Sequence, residues 1–455
     1  MSWSFVEECI AAIATALSPA GLGVIRLSGR DCIKIAANFF KSSKSIEKLK
    51  GYEATYGKIL DGDCFIDDAV VLVFKAPNSY TGEDVVEISC HGGLLILESI
   101  LKLCIKYGAK AAKRGEFTKR AFLNGKLSLT QAEAVVEVIN ADSESFLKAA
   151  NKIKQGMLYK IAEEVKKKLV EIDGKIAVFL DYPEEDLPDI EIDELEEELK
   201  KQKEKLEEVL KNSRFETILR SGIKVAIVGK SNVGKSTLMN LICGEEKSIV
   251  TNIHGTTRDL VENCVEINGI KFKFYDTAGI RETKDVIEKK GIEKTKQILK
   301  EADIILFVTD NLTKEEDLNV LKDIENCNKI LIYNKTDLNY IEKKFHSIKF
   351  SYVVRTSDKD LKSIENLKQT VYKIKDLNII TEKDDVLILN SRQKDSILKS
   401  IENLEKALES LKEQKLIDAA QILIESAIED LLQLTGEKVS DLVLDEIFSK
   451  FCVGK

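Results

Sequence analysis

An N-terminal α/β domain followed by an all-α domain that is split by a second, inserted α/β domain is the fold class predicted for this chain. Three observations predict it. The hydrophobic period changes to 3.6 near residue 118, an α/β pattern returns between about residues 222 and 378, and purely helical sequence closes the chain. Helix, α/β insert, helix is the order expected when one helical domain accepts an insertion at a loop whose ends lie close together. A length of 455 residues fits this organisation, at roughly 150 residues per domain.

Residues 1–118 alternate short apolar runs (GVIRLSG, AVVLVF, DVVEISCHGG) with helical stretches (DCIKIAANFF, LLILESILKLCIKYGA), which predicts a mixed α/β domain. Residues 119–221 are the first part of the helical domain, where glycines are few and the charged run DELEEELKKQKEKLEEVLKN keeps the helical period. Pro183 and Pro188 in DYPEEDLPD break it once, as an interhelical loop. The inserted domain occupies residues 222–378, and the second part of the helical domain residues 379–455.

Composition narrows the chemistry. The nine cysteines (Cys9, Cys32, Cys64, Cys90, Cys104, Cys243, Cys264, Cys327 and Cys452) are odd in number and never form a C-x-x-C pair. This argues against a disulfide framework or a zinc ribbon and for reduced thiols in a cytoplasmic protein. Three scattered histidines give little material for a His-based triad or metal cluster, so metal chemistry should use hard ions and oxygen ligands. A net charge of −8 argues against a broad nucleic-acid-binding surface while leaving room for a local basic patch. The N-terminal stretch lacks a basic n-region and carries Glu7 and Glu8, so neither a signal peptide nor a membrane span is expected.

The most specific stretch is IKVAIVGKSNVGKSTLMNLI. An apolar strand runs into Gly229-x-x-x-x-Gly234-Lys235-Ser236 and then a helix. Backbone N–H groups of such a loop close around phosphate oxygens, Lys235 reaches the β- and γ-phosphates, and the Ser236 hydroxyl ligates Mg²⁺. Asn232, Val233 and Thr237 complete the stretch. After a second apolar strand, Asp276-Thr277-Ala278-Gly279 supplies a Walker B-type carboxylate and a γ-phosphate-sensing N–H. A third strand ends in Asn334-Lys335-Thr336-Asp337; the acceptor-only carboxylate of Asp337 matches adjacent donors on guanine, so the nucleotide is GTP. Thr257 in VTNIHGTTRD is the natural switch hydroxyl for Mg²⁺. At Ile280, where a Ras-like enzyme carries a water-orienting Gln, the side chain is apolar, so another group must position water. Arg258 and Arg281 read equally as switch arginines or as surface charge.

GKSNVGKS, TNIHGTTRD, DTAGIRETKDVIEKKGIE and NKTD sit within a helical domain that ends in FCVGK. Together with SYTGEDVVEISCHGG and KRGEFTKRAFLNGKLSLTQAEAV, they resemble the MnmE (TrmE) family of tRNA-modifying GTPases over essentially the full length. The resemblance implies a Ras-like inserted GTPase domain and a cation-dependent reaction, with K⁺ held at Asn232, Thr251, Ile253 and Thr256 doing the electrostatic work of an arginine finger. It places the family's water-orienting carboxylate on Glu288, which without the family reads as a solvated helix charge. The guanine-contacting S-A-K loop falls on RTSDKD, with Thr356, Ser357 and Asp358 aligned and an Asp in the lysine's place.

Composition alone leaves residues 1–118 without a ligand. The resemblance implies a tetrahydrofolate-binding, homodimer-forming domain using 5,10-methylenetetrahydrofolate, with 5-formyltetrahydrofolate as its analogue. Its contacts carry over to Arg26, Glu87, Lys126 and Lys455; each alone could be a surface charge. The carboxylate suits pterin N–H donors and the cations suit glutamate carboxylates. The family's PGxGG loop reads LSPAGLG here.

The terminal FCVGK raises three readings of Cys452: a prenylation box, a buried helix-end thiol, or a functional tail. Lys455 is an unusual final residue for lipid attachment and the upstream tail is more acidic than basic, so anchoring is disfavoured. The resemblance assigns Cys452 to the modification site. It further implies an FAD-dependent partner, MnmG (GidA), in a heterotetramer, and a tRNA wobble uridine altered at carbon 5 by an aminomethyl or carboxymethylaminomethyl group. The competing reading, a ribosome-assembly GTPase acting as a binding switch, would want an RNA-binding module, and the sequence offers no KH-like segment or strongly basic appendage.

Overall fold

The computed structural model describes residues 8–181, 192–244, 262–276, 297–310, 313–321, 324, 327–338, 345–374, 377, 387–414 and 416–454. The chain divides into two compact units, Met1–Ile139 with Asn151–Glu208 and Asn390–Lys455, and Asn140–Ala150 with Val209–Leu389. The expected loop around Pro183 and Pro188 lies outside the described residues.

The first unit opens with a seven-stranded sheet. Its strands are β1 (Ile10–Ile13), β2 (Ala20–Ser28), β3 (Phe40–Ser42), β4 (Glu53–Asp61), β5 (Cys64–Phe74), β6 (Val85–Gly92) and β7 (Lys110–Ala111), in the order β3-β4-β5-β6-β2-β1-β7. Neighbours are antiparallel except β1 with β7. The strands alternate as a one-face-buried sheet requires. Ile25 and Leu27 of β2, Val71 and Val73 of β5, and Val86 and Ile88 of β6 enter a core shared with helices α1 (Cys32–Phe39) and α2 (Leu94–Lys106) through Phe39, Leu97 and Ile100. Arg26 and Glu87, in the intervening positions, take the opposite face and stand directly across from each other in the β2–β6 register.

Two shorter helices follow, α3 (Glu116–Leu123) and α4 (Leu129–Ile139), then α5 (Glu144–Lys154), whose residues are shared between the two units. The long helix α6 (Met157–Asp181) buries Leu158, Ala162, Val165, Leu169, Ile172 and Ile176, spacings of three and four that keep one stripe inward. The helix α7 (Ile192–Asn212) carries the charged run; Leu195, Leu199, Leu206 and Val209 are its buried apolar positions. Buried Glu133 of α4 receives Arg392 Nε and Nη2, each at 2.8 Å, and Gln393 Nε2 at 2.6 Å. Gln393 also closes a capping box with Asn390 at the start of Ser391–Glu409.

The second unit is a six-stranded, mostly parallel sheet preceded by a short helix, α8 (Glu216–Ser221). The strands are β8 (Ile223–Gly229), β9 (Glu262–Ile267), β10 (Ile270–Asp276), β11 (Ile304–Thr309), β12 (Asn328–Tyr333) and β13 (Tyr352–Arg355), in the order β13-β12-β11-β8-β10-β9; only β9 runs antiparallel. All six residues of β11 are buried, as expected for a strand covered on both faces. Helix α9 (Lys235–Cys243) follows β8, and helix α10 (Leu361–Lys373) follows β13, its N-terminus capped by the Asp360 side chain, which accepts from Lys362 N–H. The loop after β8 therefore opens at the carboxyl end of a central parallel strand, where such sheets hold their ligands.

Candidate active sites

The phosphate loop is a cradle that the sequence folds locally. Asn232 and Gly234 have φ of 65° and 93°, turning the backbone so that successive N–H groups converge ahead of α9. A Cβ on Gly234 would lie 2.4 Å from Asn334 Nδ2, so only glycine fits there. Lys235, 6% exposed, donates from Nζ to the carbonyls of Gly229 (3.0 Å) and Lys230 (2.7 Å), which holds its charge over the loop. Ser236 and Thr237 lie exposed in the first turn of α9. Buried Val233 anchors the loop from beneath. This arrangement fits a triphosphate: neutral carbonyls hold the lysine, and phosphate oxygens outcompete them as partners.

The Asn334–Asp337 segment, expected to read the base, is tied directly to that loop. Asn334 Nδ2 donates to Val233 O at 2.8 Å, and Lys335, with φ of 58°, donates from Nζ to Asn232 O at 2.6 Å. Asp337 accepts from Ser357 Oγ at 2.9 Å and pairs with Lys359 at 2.8 Å. Lys359 and Ser357 hold its carboxyl below the usual range, so it stays ionised wherever guanine offers donors. The alignment of RTSDKD in the sequence put Asp358 in the position of a lysine; in the structure Lys359 is the cation at Asp337 and Ser357 the hydroxyl. Thr356 lies one residue earlier, its Oγ1 donating to Asn334 Oδ1 at 3.0 Å. Ser357 was aligned within this loop from the sequence; Lys359, which pairs with Asp337, was not, although the S-x-K spacing was there to read.

β10 ends at Asp276, whose backbone pairs with Ile227 of β8 beside the loop. Thr251, Ile253, Thr256, Thr257, Arg258, Thr277, Ala278, Gly279, Ile280, Arg281 and Glu288 lie outside the described residues. So does Lys455.

A second polar site forms on the first unit. Arg26 donates from Nε (2.9 Å) and Nη2 (2.7 Å), both to Oε1 of Glu87, and from Nη1 to the carbonyl of Gly454 at 3.3 Å. Its guanidinium lies over the rings of Tyr80 and Phe117, 5.8 and 5.7 Å from their centres. Tyr80 is fixed in turn by a 2.8 Å hydrogen bond with Thr118. With both arginine bonds on Oε1, Glu87 Oε2 has no hydrogen bond among the described residues. A free carboxylate oxygen, beside an arginine that lies over two aromatic rings, fits a flat heterocycle bearing N–H donors.

Chain residues far apart in sequence close this site. Gly454, with φ of 89°, packs so tightly on β1 that a Cβ would lie 2.5 Å from Ile13 O. Upstream, Phe451 is buried against Phe448, and the Cys452 carbonyl accepts from Gly115 N–H at 3.3 Å. The Cys452 side chain is exposed. Lys126 lies in the loop after α3 and donates to Pro77 O at 3.1 Å, its stem against Gly82. The structure therefore joins Arg26, Glu87 and the C-terminal tail in one site and gives Lys126 a neighbouring loop.

Comparison with known proteins shows the chain's family. A family model described as "MnmE helical domain" matches residues 129–452, and one described as "GTP-binding protein TrmE N-terminus" matches residues 9–126. The chain belongs to the MnmE family. The tRNA modification GTPase MnmE of Acetivibrio thermocellus is 40% identical over 459 residues, covering 99% of this chain and 100% of that protein. The MnmE proteins of Clostridioides difficile and Thermoanaerobacter pseudethanolicus are each 39% identical, over 458 and 460 residues, with the same coverage. MnmE-type N-terminal and helical domains and a P-loop GTPase sheet are thus combined in one enzyme. Among the described residues, no helix is long and apolar enough to cross a membrane.

Proposed function

We propose that this MnmE-family GTPase couples K⁺-dependent GTP hydrolysis to modification of a tRNA wobble uridine at carbon 5. The product carries an aminomethyl or carboxymethylaminomethyl group, made with a folate one-carbon unit and an FAD-dependent MnmG partner. The observation that carries this reading is the meeting of Arg26, Glu87 and the C-terminal tail in one site, in a chain that also holds a phosphate loop.

In this reading Glu87 accepts from the pterin's N–H groups, Arg26 holds Glu87 in place, and Lys126 and Lys455 meet the glutamate carboxylates. Bound methylenetetrahydrofolate supplies the one-carbon unit; the exposed Cys452 stands at the modification site. In the second unit Lys235 and the loop N–H groups bind the triphosphate, and Ser236 and Thr257 ligate Mg²⁺. Asp276 serves as the Walker B-type carboxylate, and the Gly279 N–H senses the γ-phosphate. Asn232, Thr251, Ile253 and Thr256 hold K⁺, and Glu288 orients water where Ile280 cannot. The protein acts as a homodimer through its N-terminal domain, in the cytoplasm.

The test is mass spectrometry of tRNA nucleosides from a strain lacking this protein, re-supplied with the wild type or with Cys452→Ser. The modified wobble uridine should disappear and return only with the wild type. Nucleosides that never change would remove the tRNA reaction from the account.

A further inference from the structure

The first unit holds a cavity of about 520 Å³ whose lining shares no residue with the Arg26–Glu87 site. It lies between β7, the following turn, α3 and the C-terminal helix Asp441–Ser449, with Ile10, Leu123 and Phe448 as apolar lining. Five cationic side chains line it, Lys110, Lys113, Arg114, Lys119 and Arg120, against three carboxylates, Glu8, Glu116 and Asp445. The carboxylates are all engaged. Glu8 pairs with Lys110 at 2.6 Å, Asp445 with Lys119 at 2.6 Å, and Glu116 with Arg120 at 3.0 Å.

Two cations remain. Lys113 and Arg114 are exposed and make no side-chain hydrogen bond or ion pair among the described residues; Lys113 adds only a longer-range attraction to Asp445. Arg120, only 4% exposed, also keeps an Nε–H without a partner, although its other nitrogens reach Glu8 O, Glu83 and Glu116. An apolar hollow under two uncommitted cations, on a chain with net charge −8, is a local exception to the protein's electrostatics. Such a combination takes a group with an apolar flat part and a phosphate, which describes one nucleotide of a nucleic-acid strand.

We infer that this cavity receives a nucleotide of the RNA substrate, with Lys113 and Arg114 on its phosphate. The inference rests on the tRNA reading above and deepens it, giving an acidic protein a defined place to hold an anionic substrate. Lys113 and Arg114 are free to meet phosphate because they need not first leave a carboxylate.

The experiment measures binding of an unmodified tRNA transcript to the full-length protein across a salt series. The wild type is compared with Lys113→Ala/Arg114→Ala, with Ser449→Trp, which fills the cavity's edge without changing charge, and with the remote pair Lys48→Ala/Lys50→Ala. Thermal unfolding and circular dichroism, unchanged in all of them, report that the first unit folds. The double cavity variant should bind roughly tenfold more weakly and lower the slope of log K against log salt by about 1.5 to 2. Ser449→Trp should also weaken binding, and the remote pair should not. The site is overturned if the double variant binds like the wild type, if the remote pair loses as much, or if Ser449→Trp is without effect. A wild type that binds no tRNA also overturns the site, while the nucleoside assay above decides the tRNA reading separately.

Discussion

The phosphate loop and the Arg26 site both hold a cation against oxygens of their own chain, yet they hold it differently. Lys235 donates to two backbone carbonyls of its own loop, so its ammonium is held where the loop's N–H groups and phosphate oxygens would meet. Arg26 rests on the Glu87 carboxylate, so that site is close to neutral and offers acceptor and donor side by side. A neutral pair suits a heterocycle with mixed donors and acceptors, whereas a cation set in a loop of backbone N–H groups suits phosphate. The same contrast separates Asp337, already held by Lys359, from the uncommitted Lys113 and Arg114.

Several substitutions would break or sharpen this comparison. The largest effect should come from Lys235→Ala, which removes the buried cation of the phosphate loop. GTP turnover should fall by about a thousandfold, as for other lost transition-state charge contacts; turnover within tenfold of the wild type would mean that the loop's charge is supplied elsewhere. Glu288→Ala should abolish hydrolysis while leaving GTP binding intact, with hydrolysis rates and fluorescent-nucleotide titration as the paired readouts. Loss of binding would sink that assignment.

Smaller effects test the supporting structure. Glu133→Ala leaves Arg392 and Gln393 without their shared carboxylate in a mostly buried setting. It should destabilise the first unit by about 2 to 4 kcal/mol, less than a fully buried pair because Arg392 is partly exposed, and thermal unfolding would read it. Lys359→Ala should have the smallest effect. Guanine would no longer compete with an exposed, solvent-screened ion pair, so GDP affinity should rise by about two- to threefold in calorimetry. With Asp337 held below its usual range, GDP affinity should not change between neutral pH and pH 5. It should fall only as acid protonates the carboxylate, below the range in which a free aspartate titrates.

The sequence made the phosphate loop legible because its parts are contiguous. Strand, glycines, lysine and helix lie within one short stretch, and backbone conformation does the binding. Fold class was legible for a related reason, since the change from mixed to 3.6 periodicity is local and repeats many times. The Arg26 site was legible only by resemblance. Its contacts join residues 61 and 428 positions apart, and alternation says which face Arg26 takes but not which residue of β6 stands across from it. The RTSDKD segment failed by one residue because a loop after a strand end carries no period to set its register; only the Ser357–Asp337 hydrogen bond does so. Gly454 was invisible as a site residue because its contribution is a carbonyl.

One measurement addresses the division of labour most directly: GTP turnover and tRNA wobble-nucleoside content for Arg26→Ala, side by side. Arg26 touches only the first unit's site, so the account predicts GTP turnover within about twofold of the wild type and no modified uridine, since a lost charge-assisted contact costs the step it serves. Full restoration of the modified nucleoside by Arg26→Ala would contradict it, because the polar site on the first sheet would then have no part in the reaction.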